Sequence, residues 1–175
     1  MDFNKLKKYP ELLDLAYMTV TQRKESLKNI FQRDIEENQN FKFRTKSIRP
    51  HKIEGQDTMA VFLNHLTTKE DKDEKGKTLG SRSFDMARSQ RLHWVKHHIE
   101  ELKKDKVEVF SYNDRVKGRS VIRTYIYDVE QEYVIILEPD RTKLDYYLLT
   151  AYYFNELGGK EQIDNKCKRK LPELY

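Results

Sequence analysis

The sequence predicts an α+β fold: N-terminal helices followed by a four-stranded antiparallel β-meander. Three observations carry this. Apolar residues recur at steps of three and four over residues 10–38, a second stripe of that kind runs through 84–106, and four runs rich in β-branched and aromatic residues follow, joined by short turn-like links. A chain of 175 residues fits one domain of ordinary size and can bury one core.

Taken in order, Leu12, Leu13, Ala16, Val20, Leu27, Ile30, Phe31 and Ile35 mark a helix over 10–38, with Pro10 suited to its first turn and a break near Thr21 able to make it a helical hairpin. Residues 41–66 mix apolar runs with Pro50 and Gly55 and read as irregular or short-strand structure ending in a helical or extended "AVFLNHL". Residues 67–83, polar and punctuated by Gly76 and Gly80, read as a mobile loop. This divides the chain into an N-terminal helical region (1–66) partly packed on the core, the loop (67–83), and a core of 84–175. From residue 84, Asp85 is a candidate N-cap, and Leu92, Val95, Ile99 and Leu102 form one helical stripe. The four expected strands are 107–112, 120–128, 132–139 and 146–154, and a sheet covered on one face would leave the other open for a ligand. The tail begins with paired glycines and continues as a short basic helix.

Lys plus Arg number 34 against 29 Asp plus Glu, a net charge of +5, and 36% of residues are charged; a polyanionic partner suits this balance, as does a merely solvated surface. Cys167 is the only cysteine, which excludes an intramolecular disulfide and a cysteine-rich metal site and suits a reducing cytoplasm. Glu11 and Asp14 interrupt the apolar N-terminal stretch and no run approaches a membrane span, so a soluble, cytoplasmic protein without a cleaved signal is expected.

Three histidines crowd the segment "HWVKHHIEE". On an ideal helix His93 and His97 fall opposite the apolar stripe, while His98 and Arg91 lie together at its flank. An i, i+4 pair such as His93/His97 can bind zinc, but the zincin pattern needs Glu directly after the first His, and Trp94 stands there. His98 and His65 are each either a general acid or base or a satisfied structural histidine. In "SVIRTYIYD" alternation sets Arg123 with Tyr125 on one face, and the preceding turn adds Arg115, Lys117 and Arg119; this concentration of charge suits phosphate, or a solvated face with Tyr packed on Arg stems. In "YYLLTAYYF" strict alternation groups Tyr146, Leu148, Thr150, Tyr152 and Phe154; a buried Thr150 would need a partner, and one at a site could orient a phosphate oxygen.

The helix "RSQRLHWVKHHIE", the strand "RTYIYD" and the run "EYVIILEPDRTKLDYYLLTAYYFNE" together resemble the phage-type branch of the barnase, EndoU, colicin and RelE-like ribonuclease fold, over about residues 84–170. The matching positions are Arg91 and Trp94, Arg123 and Tyr125, and Thr150, Ala151 and Tyr152. The resemblance implies a metal-independent, cofactor-free ribonuclease, often a toxin or mobile-element protein with a cognate immunity or antitoxin partner, acting on single-stranded RNA, tRNA or mRNA. Cleavage by attack of the 2′-hydroxyl on its own phosphate needs a base, cations and an acid, and for it the expected residues are Arg91 and Arg123 as phosphate stabilisers, His65 or His98 as acid or base, Tyr125 and Thr150 as positioning groups, and Trp94, Arg119 and Tyr152 as substrate contacts. The alternative is a non-catalytic module binding RNA or an acidic protein through the same basic sheet.

Overall fold

The computed structural model describes residues 2–175. The segment expected to open as helix at residue 10 reaches Thr19 without helix, through turns at 9–10 and 16–17, with Leu13 and Leu15 buried at alternate positions between them. Its helix starts where a capping box is available: Thr19 accepts from the Gln22 N–H and the Gln22 side chain accepts from the Thr19 N–H, so α1 spans Val20–Phe31 and continues as a π-turn over Gln32–Glu36. Two short strands follow, β1 (Lys42–Phe43) and β2 (Lys46–Arg49), and then α2 (Thr58–Thr67), capped by Asp57.

The segment expected as a loop forms a hairpin of β3 (Thr68–Lys72) and β4 (Thr78–Phe84), paired antiparallel. Its turn is held by the Asp73 carboxylate, which accepts from the Lys75 and Lys77 N–H groups, and by Gly76 at φ +77°. The helix expected over 84–106 is two pieces, α3 (Met86–Ser89) and α4 (Trp94–Ile99). Asp85 caps the first as anticipated, accepting from the Arg88 N–H at 3.0 Å. The break comes at Gln90, whose carbonyl accepts from the Leu13 N–H (3.0 Å) instead of from Trp94, four residues on. The Trp94 N–H turns to Arg91, and Leu102, expected on the apolar stripe, is exposed beyond the end of α4.

The sheet has six strands rather than four. β5 (Val107–Val116), β6 (Arg119–Asp128), β7 (Tyr133–Pro139) and β8 (Tyr146–Tyr153) pair antiparallel in sequence order, and β2 adds to β8 in parallel with β1 beyond it, giving the order β1-β2-β8-β7-β6-β5. Lys117 and Gly118, both with positive φ, make the tight turn between β5 and β6. One sheet face packs on α1, α4 and the N-terminal segment: Leu13, Leu15, Ile30, Trp94, Ile135 and Leu137 belong to one cluster, so residues before 67 are part of the same core. The other face, expected to be open, is partly closed by α5 (Gly159–Lys168), whose Ile163 packs with Phe110, Tyr125 and Tyr127. No helix among the described residues is long and apolar enough to cross a membrane.

Candidate functional site

What α5 leaves uncovered is a cleft of about 1020 Å³. Its floor is Arg123 on β6, Ile136 on β7, and Leu149, Thr150 and Tyr152 on β8; one wall is His65 with the hairpin, and the other is the glycine pair that begins α5. The floor depends on a bulge. Ile136 pairs with Thr150 while Leu137 pairs with Leu148, so Leu149 is an extra residue in β8. Tyr146, Leu148, Ala151 and Tyr153 therefore point into the main core, and Leu149, Tyr152 and Phe154 pack on the cleft side. Strict alternation had grouped Tyr146 and Leu148 with Thr150 and Tyr152; the bulge separates them.

Two guanidiniums converge on one carbonyl. The Thr68 oxygen accepts from Arg82 Nη2 (2.9 Å) and from Arg88 Nη1 (2.7 Å), and Arg88 also donates to the His65 carbonyl (3.1 Å). Arg82 additionally donates to the Thr68 hydroxyl and has Glu70 at 3.8 Å, whereas the Asp85 carboxylate beside Arg88 is used on the backbone N–H. Arg88 is thus a largely desolvated cation with a buried, unpartnered Nε, lying 5.8 Å from the Tyr152 ring. Burial, above all, lowers its pKa. Such a pair attracts a group that can neutralise both charges, and a phosphate or carboxylate matches the guanidinium fork. Arg123 is held more loosely, 3.5 Å from Glu138 and 3.9 Å from Asp114. Glu70, Asp71, Asp85 and Glu156 also line the cleft, so its charge is mixed at the rim.

His65 lies among these cations. Burial first, then Arg82, His51 and Arg88, push its pKa below the ordinary imidazole value, against Glu70. It is therefore a neutral base at neutral pH.

Of the other anticipated site residues, Thr150, Tyr152 and Arg123 line the cleft with His65. The rest do not. Arg91 and Arg123 share no hollow: the Arg91 guanidinium sits 4.1 Å from the Tyr153 ring and 5.1 Å from Trp94, and donates to the Ala87 carbonyl. The helix break moves it off the cleft and leaves Arg88 there. Trp94 is a core residue, 1% exposed, with its indole N–H on the Glu11 carbonyl. Tyr125 is fully buried beneath α5, stacked on Phe110, its hydroxyl bonded to Asp114 and accepting from Lys166 Nζ at 3.0 Å. Arg119 lies outside the cleft, exposed at the start of β6.

His98 is sealed, its Nε2 3.1 Å from Asp128 Oδ2 with neither side chain exposed. Burial alone would raise the Asp128 carboxyl, but His98, the Tyr9 hydroxyl, the Gln131 N–H and Lys103 hold it far below the usual range. His93, expected on a solvated face, is 6% exposed, and burial lowers its pKa to about 4. His97 stacks on Tyr9 at 4.3 Å. No group of three His, Cys, Asp or Glu residues placed to hold a metal ion occurs among the described residues.

Comparison with protein-family models, curated proteins and solved structures finds no match for this chain.

Proposed function

We propose that the protein is a metal-independent ribonuclease that cleaves RNA by attack of the 2′-hydroxyl on its own phosphate. The observation that carries this reading is the paired guanidiniums of Arg82 and Arg88 on the Thr68 carbonyl, next to a histidine they help keep neutral. That chemistry needs a base for the 2′-OH, cations for the phosphorane and a proton for the leaving 5′-oxygen. His65 takes the 2′-proton as the P–O2′ bond forms, and Arg82, Arg88 and Arg123 hold the non-bridging oxygens. The P–O5′ bond breaks to leave a 2′,3′-cyclic phosphate. The 5′-oxygen takes its proton from water or from Tyr152, whose hydroxyl burial keeps protonated. Thr150 orients the phosphate. The reading does not rest on Arg91 or Trp94, so the helix motif that carried part of the resemblance lends it no support.

The second reading is an RNA-binding module that does not cut. It is favoured by one fact: His65 is the single histidine lining the cleft. Incubation with tRNA and total RNA in EDTA separates the two. Fragments ending in 2′,3′-cyclic phosphate are expected, with His65→Ala and Arg88→Ala each lowering the rate on the order of 10²-fold or more and Lys28→Ala, on the exposed face of α1, leaving it unchanged. RNA retained intact by the wild-type protein establishes the module instead.

A further inference from the structure

The sheet face that floors the cleft continues past Leu149 toward the start of β8. Glu138 alternates with Ile136 along β7 and carries its carboxylate to Arg123, so it points to the cleft side, and Tyr147 is the residue opposite it on β8. Tyr147 therefore shares that face. Arg49 of β2 is its parallel partner, and two residues further on His51 lays its ring on the Tyr147 ring, with centroids 4.5 Å apart and planes 15° from parallel. His51 is exposed, which leaves the other face of its imidazole open.

This stack adjoins the cleft. Tyr147 and Thr150 are the partners of Glu138 and Ile136, which stand two residues apart on β7, so the stack begins about 7 Å along the sheet from Thr150 on the cleft floor. His51 also lies within electrostatic reach of His65, whose pKa it helps to lower. The charges around the stack are already engaged, Arg123 with Glu138 at 3.5 Å and Arg49 with Asp145 at 2.5 Å. Arg88, at the other end of the floor, spends its guanidinium on two backbone carbonyls. A phosphate suits the guanidinium end, and a flat, uncharged π-system suits the end where charges are paired and an aromatic face is bare.

We propose that the His51–Tyr147 stack is a nucleobase platform, on which a base adjoining the phosphate held by Arg82 and Arg88 lies against the open face of His51. A base stacked there is an unpaired one, so the substrate class is single-stranded RNA rather than duplex. This rests on the ribonuclease reading of the cleft.

Binding of a 2′-O-methyl RNA hexamer containing 2-aminopurine, a base whose fluorescence falls when it stacks, tests the platform without turnover, because the strand cannot be cut by 2′-attack. Wild-type protein quenches the probe. The double variant His51→Ala, Tyr147→Ala removes most of the quench and weakens the hexamer about tenfold or more. Both rings are removed because His51→Ala alone would bare Tyr147 to the base. Tyr147→Phe keeps the quench, since the ring and not the hydroxyl is used, and His51→Trp tightens the hexamer, a gain that a misfolded variant cannot give. Hexamer binding without quench, or a quench and affinity indifferent to the double variant, overturns the platform while leaving the cleft reading in place. A wild-type protein that does not bind the hexamer overturns both.

Discussion

Of the five histidines, His65 is the one that lines the cleft, with Arg82 and Arg88 acting on it. Its lowered pKa has a kinetic sign. A base that stays neutral below the ordinary imidazole value of about 6.5 keeps kcat/KM high as the medium is acidified, so the acid limb of the pH profile falls below that point. Arg82 is the largest charged contributor after burial. In Arg82→Ala the limb moves up toward 6.5, and pH profiles of the two proteins check it; coincident limbs would mean that His65 is not the base. The residue that sequence reasoning missed here is Arg88. Four before Leu92 and seven before Val95, it falls in the middle of the apolar stripe of an ideal helix, and a cation in that place is a signal of a desolvated charge. Arg91 drew attention instead because it sits beside Trp94, but the aromatic neighbours that made it conspicuous, Trp94 and Tyr153, are what occupy it.

At the scale of elements, the runs of β-branched and aromatic residues after 107 were legible because local propensity and pairing agree there. The breaks were not. Helix α3 ends because a carbonyl is claimed by Leu13, a residue more than seventy positions earlier, and β8 bulges at Leu149; neither event has a local cause that periodicity registers. The hairpin over 68–84 was read as mobile for its charge, although Asp73 and Gly76 spell its turn. Helix α5 shows how one element couples core to cleft. Ile163 anchors it, Lys166 bonds Asp114 and Tyr125, and Asp164 accepts from Tyr127, while its first residues form a cleft wall. Ile163→Ala is expected to destabilise the protein by about 2–5 kcal/mol in urea unfolding. It should also reduce cleavage at temperatures where the fold is intact, because the wall shifts with the helix.

For the molecule as a whole, the buried histidines make stability depend on acid. His93 and His97 are lowered by burial to about 4 in the folded chain and titrate near 6.5 when unfolded. Between those values the unfolded chain binds more protons, so stability falls as pH drops, by about 1.4 kcal/mol per pH unit for a fully titrating site such as His93. Asp128 acts in the same direction lower down: its stabilisation is complete above about 3.9 and is lost as pH falls toward its depressed folded value. Urea midpoints measured from neutrality to pH 4 should decline, and His93→Leu should flatten the decline; a midpoint constant over this range would show that the histidines are not desolvated.

The parallel pairing of Ile48 with Tyr146 joins positions roughly 100 residues apart, a contact of high sequence separation. During synthesis the β1–β2 pair has one edge of β2 waiting for β8, which also carries the bulge, Thr150 and Tyr152. A nascent chain thus has no complete cleft floor until that strand is made, so the cleft is among the last features of the fold to form.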